Sequence, residues 1–451
     1  METRMDSFEQ RRVVVMGLGR FGGGVGVTRW LASRGADVVV TDKEREDRLG
    51  ESVDAIRDLV DSGAVELRLG EHRVNDFTTA DMVVVNPAVP KPWDDRFVRS
   101  AQAGGIPVTT EIGLVCSMLD RRRVIGVTGS AGKSTVSSMI HAGLERAGGA
   151  SVLGGNIGGS LLEQIGSISP KANVVLELSS SMLHWLGLKG WSPGVAVVTN
   201  LEPNHLDWHG SEAHYAESKR RVLSAQVPGD VAVLGAGVED WETNDGVGRV
   251  IVGEDDKVEG CVLPGRHNAW NAALALAACR AAAGKADRDA LLGGIRAFAG
   301  LPHRLSLVHE AGGVRFYDDS KSTVPRATVL AVEALGDAIG DGRVHLICGG
   351  YDKGVDLDEI AGLGPRLGGI YTIGATGEDI ALLAGDLAGD RATRCGTLDV
   401  AVREAASRAE AGDAVLLSPG CASWDQFDHF QARGNAFASF ARALGARAGT
   451  R

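Results

Sequence analysis

Val124-Ile-Gly-Val-Thr-Gly-Ser-Ala-Gly-Lys-Ser-Thr135 is the stretch on which the fold turns. A short apolar strand runs into a glycine-rich turn, the turn ends in Lys-Ser-Thr, and an amphipathic run from Val136 to Leu144 follows. Glycines let backbone N–H groups crowd around an anion, and the N-terminus of the next helix adds the positive end of its dipole. In such a cradle Lys133 reaches a β- or γ-phosphate and the Ser134 hydroxyl ligates Mg²⁺. The turn therefore reads as an ATP site in the middle of the chain. A strict phosphate-loop pattern has glycine at 127, where Val stands; the spacing that holds is Gly126, Gly129, Gly132. The plain alternative is a tight strand-to-helix turn with no ligand.

Upstream, Arg12-Val-Val-Val-Met16 reads as a strand, and Gly17-Leu-Gly19-Arg-Phe-Gly22 as a turn before a helix that runs to about Ala32. Ala36-Asp-Val-Val-Val-Thr-Asp42 makes a second strand with an acidic end. This βαβ pattern suits a dinucleotide, and equally any ligand with a pyrophosphate and a sugar; Asp42 then holds a ribose hydroxyl or a base edge, or simply ends a solvated strand. Downstream, Val174–Leu178 and Val195–Asn200 are nearly all apolar, as strands of a buried parallel sheet are. A helix is expected from Arg266 through Arg280. Strands at Val344–Cys348, Gly369–Ile373 and Ala414–Leu417 alternate with helical runs, which predicts another doubly wound sheet.

With 451 residues the chain exceeds a single core, and two or three domains are expected. Its 44% hydrophobic and 23% charged content is that of a soluble globular protein. No run is long and apolar enough to span a bilayer, and Val13–Met16 is too short for a signal-peptide core, so a cytoplasmic protein without a membrane partner is expected. Six cysteines without C-x-x-C spacing argue for reduced thiols over a disulfide scaffold or zinc ribbon. A net charge of −11 argues against nucleic acid as a partner, and it makes individual cations in glycine-rich loops informative.

Ligands of open α/β sheets sit beyond the carboxyl ends of the strands, and reactive groups gather there repeatedly in this chain. Glu177 closes one strand, and Asn200, Glu202 and His205 follow the next. Lys219 stands on an expected helix; Asp319, Lys321 and Thr323 follow Val314–Tyr317; Lys353 follows Cys348-Gly-Gly350; Ser418–Trp424 follows Ala414–Leu417. A carboxylate and an imidazole beside a phosphate cradle are reasonable Mg²⁺ ligands.

Together these segments resemble the Mur ligases, the ATP-dependent amide-forming enzymes of peptidoglycan synthesis. The resemblance spans nearly the whole chain. It rests on Thr128–Thr135, Gly154-Gly-Asn-Ile-Gly158, Glu177-Leu-Ser-Ser180, Asn204-His-Leu-Asp207 with Lys219, and Gly265-Arg-His-Asn268 with Asn271. It continues through Leu301-Pro-His-Arg304, Asp319-Ser-Lys321, Leu417-Ser-Pro-Gly-Cys-Ala-Ser-Trp-Asp-Gln-Phe427 and Arg433-Gly-Asn435. The Gly-Gly-Asn-Ile-Gly and Leu-Ser-Pro-Gly-Cys-Ala-Ser segments point to the D-glutamate-adding branch.

The resemblance implies an α/β chain of three domains: a Rossmann-like UDP-binding domain (1–112), a central P-loop ATPase-type parallel sheet (113–300) and a Rossmann-like amino-acid-binding domain (301–451). It implies that ATP phosphorylates a carboxylate and that an incoming amine displaces the phosphate. Gly129, Ser130, Ala131, Gly132, Lys133, Ser134, Thr135, Asn268, Asn271, Arg304 and Asp319 are the expected ATP-binding residues. Lys133, Glu177, His205 and Lys219 carry catalysis; Ser134 and Glu177 serve one Mg²⁺, and His205 and Lys219 a second, with Lys219 carbamylated. Gly17, Gly19, Arg20, Phe21, Asp42 and Asn156 hold the UDP-sugar, and Lys321, Thr323, Lys353, Ser423 and Phe430 the amino acid. The substrates implied are UDP-N-acetylmuramoyl-L-alanine and glutamate, acted on by a monomer. Ala88, Ser181-Met182, Ser322-Thr323-Val324 and Trp424 depart from the family pattern and bear on the incoming amino acid. Addition of L-glutamate to the same nucleotide, or of another amino acid, is the alternative within the family. A nicotinamide-dependent oxidoreductase on Gly17–Gly24 leaves Lys133, Lys219 and the third domain without a use, and a non-catalytic nucleotide-binding module has no need of Glu177, His205, Asp319 and Lys353 together.

Overall fold

A computed structural model of the protein describes residues 8–448, except 20, 21, 203, 353 and 355. Arg20, Phe21 and Lys353, expected at binding sites, lie outside the described residues. The strands form three sheets. In the first, β1 (Arg12–Met16), β2 (Asp37–Asp42), β3 (Val65–Leu69), β4 (Met82–Val85) and β5 (Val108–Thr109) run in the order β3-β2-β1-β4-β5, all parallel. Its valines explain the arrangement. Val13 and Val15 enter one hydrophobic cluster and Val14 and Met16 another, so both faces of β1 are covered. A strand buried on both faces needs apolar residues at every position, and Val13–Met16 are at most 1% exposed.

The second sheet comprises β6 (Val124–Thr128), β7 (Ser151–Gly155), β8 (Asn173–Glu177), β9 (Val195–Asn200), β10 (Val231–Ala236) and β11 (Gly248–Ile251), in the order β11-β10-β9-β6-β8-β7. It too is parallel throughout. The central strand β6 feeds the helix Lys133–Arg146, which starts earlier than the amphipathic run alone indicated. One cluster of buried apolar side chains joins Val15 and Val38 of the first sheet to Leu176 and Val198 of the second, and both sheets belong to one compact unit, 1–256 with 273–295.

The other compact unit, 257–272 with 296–451, contains the third sheet. Its strands are β12 (Ser306–Ala311), β13 (Val314–Asp318), β14 (Val344–Gly349), β15 (Gly369–Ile373), β16 (Ala392–Gly396) and β17 (Ala414–Leu417), in the order β12-β13-β17-β14-β15-β16. The sheet is parallel except at one edge, where β12 pairs antiparallel with β13 and makes it mixed. Gly312 and Gly313 connect them, with φ of 59° and 80°. Two consecutive left-handed residues make the tight turn that matches the twist of a hairpin, and glycine takes that conformation at least cost. Alternate residues of the inner strands again enter opposite clusters: Leu346 and Cys348 one, Ile347 the other. All six cysteines are free. Among the described residues, no helix is long and apolar enough to cross a membrane.

Candidate active site

The glycine turn leaves the carboxyl end of β6 between its neighbours β8 and β9. Gly129 takes φ of 145°, and a Cβ there would overlap Thr199 Oγ1, so only glycine lets the turn lie against the end of β9. Gly132, at φ of 81°, opens the helix Lys133–Arg146 with no side-chain cap. The first-turn N–H groups therefore remain for an anion, in the field of the helix dipole. The outer part of the turn is already fastened. Asn200 Oδ1 accepts the N–H groups of Ser130 at 3.0 Å and Ala131 at 2.9 Å. Thr199 Oγ1 donates to Ala131 O at 2.5 Å, and the Ser130 and Tyr215 hydroxyls lie 2.9 Å apart. Lys133 folds back, its Nζ donating to Gly129 O and Ser130 O at 2.9 and 3.0 Å. Ser134 is buried in the first turn, and Thr135 is half-buried.

Lys219 lies on the helix Glu212–Ser224, only 1% exposed. Its Nζ donates to Gly129 O at 2.7 Å and lies 4.7 Å from the ring centre of Tyr215, one helical turn earlier. Burial, and then the Lys133 ammonium, push the Lys219 pKa down to about 6, while Glu177 opposes the shift. Glu177, at the end of β8, is buried; its Oε1 accepts from Asn156 Nδ2 at 2.9 Å, and its Oε2 has no hydrogen-bond partner among the described residues. A buried carboxylate oxygen left unpaired is costly unless a cation meets it, so the oxygen donors of Glu177 and Ser134 fit Mg²⁺. Among the described residues no three His, Cys, Asp or Glu side chains cluster closely enough to form a metal cage on their own. Asn156 is committed to Glu177 by its main chain as well, its N–H donating to Glu177 O at 2.8 Å. His205 stands exposed in a left-handed conformation, φ 52°, before the helix Leu206–His209. Partial burial and then the Lys133 charge hold its imidazole below the usual pKa.

In the first sheet, Gly17 and Gly19 follow β1 where the strand order reverses toward β4, the position at which such sheets receive ligands. Both have positive φ. Asp42 is buried at the end of β2, where its Oδ2 accepts the Gly19 N–H at 3.2 Å and its Oδ1 the Glu44 N–H at 2.9 Å. It therefore shapes the glycine turn as well as the strand end. Asn86, closing this turn from the β4 side, donates to Gly17 O at 3.2 Å; sequence reasoning gave it no role.

In the other compact unit, Asn268 and Asn271 are buried and linked, Asn271 Nδ2 to Asn268 Oδ1 at 3.1 Å. Asp319 is almost fully buried. Its oxygens accept from Leu305 N–H at 3.1 Å and from the Ser322 and Ser418 hydroxyls at 2.6 and 2.7 Å. Burial nevertheless pushes its pKa up to about 6, against those hydrogen bonds and the nearby Arg304 charge. Arg304 Nε is buried without a hydrogen-bond partner among the described residues. Lys321 Nζ lies 5.5 Å from the ring centre of Phe430, so these two residues meet. Ser423 is buried in the loop after β17 and Thr323 is half-buried. Sequence reasoning also passed over Arg433, quoted only within a motif. It is 1% exposed and reaches the loops after both β13 and β17.

Comparison with known proteins follows this division. Family models match residues 11–110 (Mur ligase MurD-like, N-terminal domain), 127–261 (Mur ligase middle domain) and 303–421 (Mur ligase, glutamate ligase domain). The UDP-N-acetylmuramoylalanine--D-glutamate ligase of Roseiflexus sp. is 35% identical, over 95% of this chain and 97% of its own. Among solved structures, the UDP-N-acetylmuramate-alanine ligase MurC of Thermotoga maritima aligns with a TM-score of 0.61 at 17% identity, over 96% of this chain and 100% of its own. MurF ligase from the same organism, in complex with ADP, aligns with a TM-score of 0.58 at 17% identity, over 99% and 100% of the two chains. These two likenesses are of fold.

Proposed function

The chain belongs to the Mur ligase family, and on that premise we propose that it joins D-glutamate to UDP-N-acetylmuramoyl-L-alanine with cleavage of ATP. The observation that carries this reading is the likeness to a D-glutamate ligase, 35% identical over 95% of this chain and 97% of its own. The first domain (1–112) holds the UDP-sugar, the central domain (113–300) ATP and the third (301–451) glutamate. Such a reaction, fed by ATP and a UDP-sugar, belongs to the cytoplasm, where six free thiols are also at home.

In this reading an oxygen of the alanyl carboxylate attacks the γ-phosphorus of ATP, giving an acyl phosphate and ADP. The glutamate amine then adds to the acyl carbon, loses a proton, and phosphate leaves from the tetrahedral intermediate as the amide forms. No covalent work falls to the protein, so positioning and charge neutralisation dominate. Lys133 and the N–H groups that open its helix hold the β- and γ-phosphates. Ser134 and Glu177 would hold one Mg²⁺, and His205 with Lys219 as its carbamate a second, and ions held there would neutralise phosphate charge. The low pKa of Lys219 favours that modification, because CO₂ reacts with the neutral amine. Asn268, Asn271, Arg304 and Asp319 complete the nucleotide contacts. Gly17, Gly19, Arg20, Phe21, Asp42 and Asn156 receive the UDP-sugar, and Lys321, Thr323, Lys353, Ser423 and Phe430 the amino acid, whose two carboxylates suit lysines and hydroxyl donors.

Asp42→Ala removes both the acceptor that shapes the glycine turn and a contact to the nucleotide. Loss of a charge-assisted hydrogen bond costs about 1.5–3 kcal/mol, so UDP-sugar affinity is expected to fall roughly tenfold or more while ATP affinity holds. Calorimetric titration of each ligand checks this; a fall in ATP affinity alone would reverse the domain roles. The reading as a whole is tested by product formation from UDP-N-acetylmuramoyl-L-alanine, ATP and each glutamate enantiomer. Turnover with D-glutamate is expected to dominate, and faster turnover with L-glutamate overturns the stereochemical half.

A further inference from the structure

Arg433 stands in the first turn of the helix Phe430–Ala448 and is the largest of the fully buried side chains. Its Nε donates to Ser320 Oγ at 2.9 Å and its Nη2 to Ser320 O at 2.9 Å. Nη2 also donates to Cys421 O, and Nη1 to Ala422 O, each at 3.1 Å. Every acceptor is neutral, and among the described residues no carboxylate forms an ion pair with it. Ser320 Oγ in turn donates to Phe430 O at 2.8 Å. One guanidinium thus binds the loop after β13, the loop after β17 and the start of the last helix. β13 and β17 are adjacent strands, so both loops leave the same end of the sheet.

Burying a cation against neutral carbonyls is expensive, and an apolar side chain of similar volume fills such a space at lower cost. Only the planar fork of arginine serves several acceptors at fixed angles. The cost is understood if the spacing of the loops is what matters. Residues beside the acceptors carry the groups assigned to the amino acid: Lys321 next to Ser320, Ser423 next to Ala422, and Phe430 through its own carbonyl.

We propose that Arg433 is a positioning residue for the incoming amino acid, its guanidinium fixing the spacing of Lys321, Ser423 and Phe430 by clasping Ser320, Cys421 and Ala422. This rests on the reading that the third domain binds glutamate. Arg433 does not touch the substrate; it acts through the loops that do. Ser320 is the second half of the clasp, because its hydroxyl stands between Arg433 and Phe430.

The test is steady-state kinetics of the full chain, with D-glutamate and ATP varied separately, for Arg433→Met, Arg433→Lys, Ser320→Ala and Lys321→Ala. Arg433→Met is expected to raise the KM for D-glutamate about tenfold or more and to leave the KM for ATP within roughly twofold. Arg433→Lys, which keeps the charge and part of the hydrogen bonding, recovers part of that loss. Ser320→Ala, which keeps the charge and removes the hydroxyl's links to Arg433 and to Phe430 O, shifts the same parameter in the same direction by less. If Arg433→Met does not fold, Ser320→Ala and Arg433→Lys decide. Lys321→Ala separates the proposal from the reading beneath it. A raised glutamate KM in Lys321→Ala, with Ser320→Ala and both Arg433 variants changed only in melting temperature, overturns the clasp and keeps the third-domain site. An unchanged glutamate KM in Lys321→Ala overturns both.

Discussion

Lys133→Ala is expected to lower kcat/KM by about a hundredfold or more while the protein stays folded. In the proposed reaction the ammonium neutralises charge that moves onto the transferring phosphoryl group. The fold survives because the turn is fastened independently, by Asn200 Oδ1 on the N–H groups of Ser130 and Ala131, by Thr199 on Ala131 O and by Tyr215 on Ser130. The substitution has a second effect. Lys133 is one of the causes that lower the Lys219 pKa, so its removal lets that pKa rise and leaves less neutral amine near pH 7. Phosphate release and thermal melting, measured on the same preparation, check the prediction. Near-normal ligation by the variant would sink the cradle assignment.

The second large effect is expected at Lys219. The carbamate proposed for Lys219 would supply oxygen ligands to the proposed Mg²⁺, which would repel an ammonium. Lys219→Ala is expected to lose on the order of a hundredfold or more in kcat and to regain part of it from an added short-chain carboxylate such as acetate. The pH dependence has a defined sign. Below about 6 the wild-type side chain is an ammonium and does not react with CO₂; above about 6 the neutral amine dominates. Bicarbonate-dependent activity should therefore decline as pH falls through that value, and Lys219→Ala with acetate should not follow the same curve. Absence of rescue at any carboxylate concentration favours a plain phosphate-binding lysine.

The parts of this architecture that were legible beforehand are those whose cause is local. Arg12–Met16 read as a strand, and Val195–Asn200 as a strand of a buried parallel sheet because both faces need apolar side chains, and the bounds of both are those expected. Glu177 and Lys219 stand on the elements assigned to them, at the end of β8 and on the helix Glu212–Ser224. What was not legible depends on partners distant in sequence. β7 begins with Ser and ends in two glycines, a weak strand signal that pairing with β8 overrides. Neither the Gly312-Gly313 turn nor the strand before it was read from the sequence: Ser306–Ala311 lacks the apolar alternation that marks a strand, so the hairpin was missed. Asn200 and Arg433 act by accepting from or donating to backbone brought near by the fold, and no spacing in the chain announces that. Asn156 is legible as a conspicuous residue in a glycine-rich turn, but its hold on Glu177 is visible only in three dimensions.

The account is tested most directly by phosphate release from ATP in the presence of Mg²⁺, with UDP-N-acetylmuramoyl-L-alanine and D-glutamate supplied together and each omitted in turn. Sustained release is expected only with both present, matched mole for mole by a product whose mass is the sum of the two substrates less one water. Equal phosphate release without either substrate, or none with both present and the protein folded, contradicts it.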